Sequence, residues 1–215
     1  SYSNAPKIMA HDHQHNSGEP AIILLAAGNS SRMGEPKQLL EIGGKSLVYR
    51  AAETALQTGW HPVIVVTGAY HGEIEKVLAG LELDLVNNPG WHSGMAGSIK
   101  TGLNRALKID PTLEAAVLMV CDQPHVTPTL LQQLLLTRRV SDAPVVASAY
   151  GETLGTPALF DRAVFPQLLA LEGEAGAKKL IRALGSRVAQ VDFPQGEIDI
   201  DTPADYTNFR QQHNE

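Results

Sequence analysis

At 215 residues, 43% hydrophobic and 19% charged, the chain is long enough to bury the core of one ordinary α/β domain and too apolar to be mainly disordered. Seventeen basic against 23 acidic side chains leave a net charge of −6 at pH 7, which argues against nucleic acid or an anionic membrane as the main partner. An anionic ligand therefore has to be held by a few local cations and backbone amides. The only cysteine, Cys121, allows no internal disulfide. No apolar run approaches the ~18 residues of a membrane span, and the N-terminus lacks a secretory pattern. The expectation is a cytoplasmic protein.

Residues 1–19 lack apolar periodicity and read as a flexible extension. His11, His13 and His15 alternate within it, either as part of a solvated tail or as a weak metal-binding face. From residue 20 onwards, short apolar runs alternate with amphipathic segments. AIILLAA (21–27) reads as a strand buried on both faces of a parallel sheet. A helix is expected over 47–58, closed by Gly59, then a strand over 62–68 and a helix near 71–79. A strand over 83–88 precedes a helix over 97–108, and AAVLMVCD (115–122) is another buried strand. Thr127-Pro128 opens a helix with a capping hydroxyl and proline in the first turn. Strands over 144–150, 187–193 and 197–201, with helices near 161–170 and 175–184, complete the pattern. This alternation signals a single three-layer, doubly wound, mostly parallel α/β sheet.

The most informative segment is Leu25-Ala26-Ala27-Gly28-Asn29-Ser30-Ser31-Arg32-Met33-Gly34-Glu35-Pro36-Lys37. A strand running into small residues, with Gly28 and Gly34 in the following loop, lets backbone N–H groups approach an anion. Arg32 and Lys37 place two cations in the same loop, matching a ligand with several phosphate charges. Walker A is excluded by spacing, and Asn29-Ser30 breaks the G-x-G-x-x-G dinucleotide fingerprint, which disfavours a nicotinamide dehydrogenase. Asp122 follows its strand directly, at the edge where open α/β sheets bind ligands. A carboxylate facing phosphates is repulsive unless a cation intervenes, so Mg²⁺ is the economical inference. A turn-forming role for Asp122-Gln123-Pro124 is the alternative. Within 197–201, strand alternation would put Asp199 and Asp201 on one side. Asp205 loads the start of a helix opened by Thr202-Pro203 and is read as structural. Cys121 reads as a small buried hydrophobe.

The loop pattern Leu-Ala-Ala-Gly-x-Ser-x-Arg-Met-Gly-x-x-Lys closely resembles the signature of the MobA-like nucleotidyltransferases. The wider resemblance, over residues 21 to about 209, is to their molybdenum cofactor cytidylyltransferase branch. It implies a Rossmann-like nucleotidyltransferase domain over residues 20–215. By this resemblance Leu25, Ala26, Ala27, Gly28, Ser30, Arg32, Gly34 and Lys37 bind the nucleotide, with Arg32, Lys37 and Asp122 catalytic. Asp201, in D-I-D-T-P-x-D, would be the second Mg²⁺ ligand beside Asp122. Asn88, Gly94 and Ser98 match an N-P-x4-G-M-x-x-S segment near base and ribose, where Trp91 and His92 either stack on a ligand ring or pack beneath the loop. Gly155 and Pro157 match a G-x-P-x-x-F element on the acceptor side. Lys178 stands where a related G-D-x-G-A-R element has arginine, and Glu174 stands for its aspartate, so the charge of Lys178 is kept without the bidentate fork.

The resemblance thus implies transfer of a nucleoside monophosphate, CMP from CTP, to the phosphate of molybdopterin with release of pyrophosphate. It further implies small-molecule partners and transient contact with a molybdoenzyme or its chaperone. Guanylyl transfer to the same cofactor, cytidylyl transfer to a sugar phosphate or methylerythritol phosphate, and a non-catalytic cofactor carrier are the alternatives.

Overall fold

The computed structural model describes residues 18–213, so His11, His13, His15 and nearly all of the expected extension lie outside the described residues. Strand β1 (Ala21–Ala26) is entirely buried, and its alternate side chains serve two cores. Ile23 and Leu25 join one apolar cluster, while Ile22 and Leu24 join the other. That is why a continuous apolar run, rather than an alternating one, encodes this strand. Its neighbours are β4 (Val63–Thr67) on one side and β6 (Ala115–Val120) on the other, both parallel to it. Strand β5 (Asp84–Asn87) extends the sheet beyond β4.

The other half consists of β7 (Val145–Tyr150), β8 (Thr153–Asp161) and β9 (Val188–Asp192), giving a seven-stranded order β5-β4-β1-β6-β8-β7-β9. A separate two-stranded hairpin, β2 (Glu41–Ile42) with β3 (Lys45–Ser46), lies in the connection after β1. On one face of the large sheet pack α3 (Met95–Ile109), α5 (Phe165–Leu169) and α6 (Ala177–Leu184). On the other pack α1 (Leu47–Leu56), α2 (His71–Leu78) and α4 (Pro128–Val140). The three-layer, mostly parallel architecture matches the expectation. No helix among the described residues is long and apolar enough to cross a membrane.

Two elements depart from the expectation. Residues 197–201 form no strand. Pro194–Glu197 makes a 3-10 turn and the chain then runs extended outside the sheet. Ile198 is exposed while Ile200 is fully buried with Met33, Leu40, Ile42, Leu47 and Phe209, so Ile200 alone anchors the chain beneath the last helix, α7 (Pro203–Gln212). Strand β8 was not expected, because Gly155 and Pro157 interrupt its sequence pattern. The structure accommodates them at a register shift beside Ala147 and Ser148, where proline's missing N–H costs no ladder bond, and β8 runs antiparallel to both β6 and β7.

Helix α3 lies directly against β1 and β4 because Gly102 presents no side chain there. A Cβ at this position would stand 2.5 Å from Ile23 Cγ2 and 2.9 Å from Val66 Cγ2. Gly102→Ala therefore improves helix propensity but overpacks the sheet. Overpacking is expected to win, with a net destabilisation of about 1–3 kcal/mol, checked by the denaturant midpoint.

Candidate active site

The parallel order β4-β1-β6 places the loop after β1 and the turn after β6 side by side at the carboxyl edge of the sheet, with Leu25 paired to Val120. The connection after β1 leads to β4 on one side and that after β6 leads to β7 on the other, the switch point at which α/β sheets open a crevice. The crevice has a volume of about 520 Å³ and is lined by Leu25, Ala26, Ala27, Gly28, Lys37, Gly94, Ser98 and Asp122, among others.

The loop's shape follows from a few bonds. Ser30 adopts a left-handed conformation (φ 56°), and its carbonyl accepts the amides of Met33 at 3.0 Å and Gly34 at 3.2 Å. Its hydroxyl accepts the Lys37 amide at 2.9 Å and donates to Gln38 Oε1 at 3.0 Å. Ser30 thus shapes the loop, and neither it, Arg32 nor Gly34 is part of the crevice lining. A short 3-10 turn at Lys37–Leu39 then points Lys37 towards the carboxylates and turns Gln38 inwards.

Lys37 Nζ donates to Asp122 Oδ2 at 3.0 Å and to Asp201 Oδ1 at 3.1 Å, and Arg32 Nη2 contacts the other oxygen of Asp201 at 2.7 Å. The three side chains Lys37, Asp122 and Asp201 are each 19% exposed, whereas Arg32 is 76% exposed. Burial alone would lower the Lys37 pKa. The charge of Asp122 and the hydrogen bonds to both carboxylates reverse this and hold the ammonium above its ordinary range, so Lys37 stays charged. Asp201 reaches Asp122 through backbone rather than through a strand, since the Ile200 amide donates to the Asp122 carbonyl at 2.9 Å. Asp205 caps α7, accepting from the amides of Asp201 and Thr202, which confirms its structural role. Burial, followed by the charges of Asp122, Asp201 and Asp205, raises the pKa of the neighbouring Asp199.

Across the crevice from the loop after β1, Asn88 donates to Ser98 Oγ at 3.0 Å and accepts the Gly90 amide at 3.0 Å, so this buried side chain braces its own loop. Gly94 has φ 114°, and a Cβ there would clash with the Gly173 carbonyl, which also accepts the Ala96 amide at 3.2 Å. This contact brings Glu174 into the crevice wall. Trp91 packs on the core and lines the crevice together with His92. Gly155 and Pro157 are buried in β8, Lys178 is exposed, and none of the three lines the crevice; only Lys178 carries a functional side chain. Its stem passes over Gly155, where a side chain would meet both Tyr150 and Lys178.

Sequence reasoning missed Gln38. In the sequence it is only a polar residue between Lys37 and the apolar pair Leu39-Leu40. Cys121 behaves as expected. Burial, then the charge of Asp122, pushes its thiol up to about 12 even though Lys37 acts the other way. At pH 8 the thiol is neutral, and alkylation of the native protein is expected to run at least about 10²-fold slower than that of a free cysteine. Rapid native-state labelling would contradict this placement.

The chain was compared with known proteins. The model of the MobA-like NTP transferase domain matches residues 22–188. Nicotine blue oxidoreductase of Paenarthrobacter nicotinovorans is 35% identical over 170 residues, 74% of this chain and 80% of that protein. The molybdenum cofactor guanylyltransferase of Rhodobacter capsulatus is 32% identical over 187 residues, 85% of this chain and 90% of that protein. The crystal structure of Rv0371C from Mycobacterium tuberculosis in complex with manganese superimposes with a TM-score of 0.75 at 26% identity, covering 90% of this chain and 98% of that one. The signature loop, the carboxylates that face it and the extent of these matches agree: the chain belongs to the MobA-like NTP transferase family.

Proposed function

We propose that this chain transfers a cytidylyl group from CTP to the phosphate of molybdopterin, with release of pyrophosphate, and that residues 20–215 form the transferase domain. The observation that carries the reading is the convergence of Lys37, Asp122 and Asp201 beside a glycine-containing loop at the sheet's switch point. A cytoplasmic setting, with hand-over of the product to a molybdoenzyme or its chaperone, completes it.

The site fits a divalent cation. Asp122 and Asp201 offer hard oxygen donors that already converge on one cationic atom, at 3.0 and 3.1 Å. Among the described residues no group of three or more His, Cys, Asp or Glu side chains is gathered to hold an ion. The ion would therefore be shared with substrate phosphates, as is usual for Mg²⁺. When bound, the metal supplies charge neutralisation and Lewis-acid polarisation at the reacting phosphate.

The remaining chemistry falls to the chain. The loop amides and Lys37 hold the triphosphate, and Lys178 draws the acceptor phosphate towards the crevice. An oxygen of that phosphate forms a bond to the α-phosphorus as the bond from the α-phosphorus to the bridging oxygen of the leaving pyrophosphate breaks. The acceptor phosphate is already ionised near neutral pH, so no side chain has to remove a proton. Lys37 and, from the crevice rim, the exposed Arg32 balance the charge that builds on the α-phosphate and the departing pyrophosphate.

Ala26-Ala27-Gly28 supports CTP, because this form of the loop resembles that of the cytidylyl-transferring members. The test measures pyrophosphate release with molybdopterin and either CTP or GTP. The expected kcat/KM favours CTP by at least about tenfold. A preference for GTP would overturn the nucleotide choice and leave the transferase reading in place. The identity to nicotine blue oxidoreductase supports a second reading, oxidation or reduction of a small organic substrate. Substrate-dependent oxidation of NADH or NADPH, without pyrophosphate release from either nucleotide, would favour it.

A further inference from the structure

Four successive carbonyls, those of residues 26–29, each accept a hydrogen bond, two of them from Gln38, which itself lines the crevice. Gln38 Nε2 donates to the Ala26 carbonyl at 3.3 Å and to the Gly28 carbonyl at 2.7 Å. The Ala69 amide donates to the Ala27 carbonyl at 3.2 Å, and Tyr70 Oη donates to the Asn29 carbonyl at 2.7 Å. In a planar trans peptide the C=O and the following N–H point in opposite directions. Fixing these carbonyls therefore aims the next amides the other way. Among the described residues the amides of Gly28, Asn29 and Ser30 have no hydrogen-bond acceptor. Gln38 is 1% exposed, and its Oε1 also receives the Ser30 hydroxyl, whose oxygen in turn holds the Lys37 amide. One buried amide side chain thus links both ends of the loop.

We infer that Gln38 is a positioning residue, aided by Tyr70, that fixes the orientation of the loop peptides so that the amides of residues 28–30 face the nucleotide phosphates. The inference rests on the nucleotide reading proposed above. Its part in this reading is to fix the loop backbone rather than to touch the reacting atoms. It presets the backbone so that no reorganisation is needed when the anion arrives.

The test compares wild type, Gln38→Met, Gln38→Glu and Tyr70→Phe by calorimetric titration with CTP, inorganic pyrophosphate and CMP in Mg²⁺, alongside steady-state kinetics and thermal melting. Methionine keeps the length of glutamine without its donor. Glutamate keeps an acceptor for Ser30 but has no proton for the Gly28 carbonyl. Both variants are expected to bind CTP and pyrophosphate about tenfold more weakly and CMP less than about threefold more weakly, with KM for CTP rising and kcat changing less than about threefold. Tyr70→Phe removes one hydroxyl from a half-buried ring and is expected to weaken CTP about threefold, which keeps the test open if the Gln38 variants fold poorly. Equal losses for CTP and CMP, or wild-type CTP affinity in Gln38→Glu or in Tyr70→Phe, would overturn the assignment. A wild-type protein that binds neither CTP nor GTP would overturn the nucleotide reading and this inference with it.

Discussion

Replacing Lys37 by alanine is expected to lower turnover by about 10²–10³-fold, the usual cost of removing one preorganised charge contact. The size of the effect follows from where the side chain sits. Lys37 is the loop cation that lines the crevice, it remains charged, and it bridges Asp122 and Asp201 at 3.0 and 3.1 Å. Without it, two carboxylates and an incoming triphosphate face one another with less positive charge between them. Arg32 does not substitute, because it is exposed and approaches from outside the crevice, against the far oxygen of Asp201. Pyrophosphate release under single-turnover conditions is the appropriate measurement. Near wild-type turnover in Lys37→Ala would remove this residue from the mechanism.

The second large effect is expected at Asp122. Asp122→Asn preserves size and an acceptor for Lys37, and the backbone bond from the Ile200 amide to the residue 122 carbonyl does not involve the side chain. The fold should therefore survive while the charge that favours a divalent ion is lost. Turnover is expected to fall by about 10²–10³-fold or more, and the metal concentration for half-maximal rate should rise. Measuring rate against Mg²⁺ and Mn²⁺ together with melting temperature separates this from unfolding. A variant with unchanged metal dependence would show that Asp122 serves the turn rather than the ion.

Much of the fold was legible because burial on two faces leaves a plain signal. The apolar runs at Ala21–Ala26, Val63–Thr67 and Ala115–Val120 are strands because both of their faces pack on helices. The Thr127 and Thr202 caps also mark their helices correctly. Strand β8 was hidden because a register shift lets a strand contain glycine and proline. The segment before Asp201 misled for the opposite reason. Ile198 and Ile200 alternate as in a strand, yet only Ile200 is buried, and it packs under α7 away from the sheet.

At the site, where the structure brings Lys37 and both carboxylates together, residue types and chain order pointed to the loop, Lys37 and Asp122, and the resemblance to Asp201. They did not reveal that Asn88 and Ser30 spend their hydrogen bonds on their own loops, or that Gly155 and Pro157 are covered. Those facts depend on pairings between distant segments, for which a single sequence carries no periodic signature. Gln38 was missed on the same grounds, since its role exists only through carbonyls ten and twelve residues earlier in the chain.

The most direct test of the account is a crystal structure of the chain with a non-hydrolysable CTP analogue and Mn²⁺. The account predicts an anomalous manganese signal against Asp122 and Asp201, phosphates along the amides of residues 28–30, and Lys37 turned from the carboxylates to a phosphate oxygen. Nucleotide bound away from this loop, or manganese held by other residues, would contradict it.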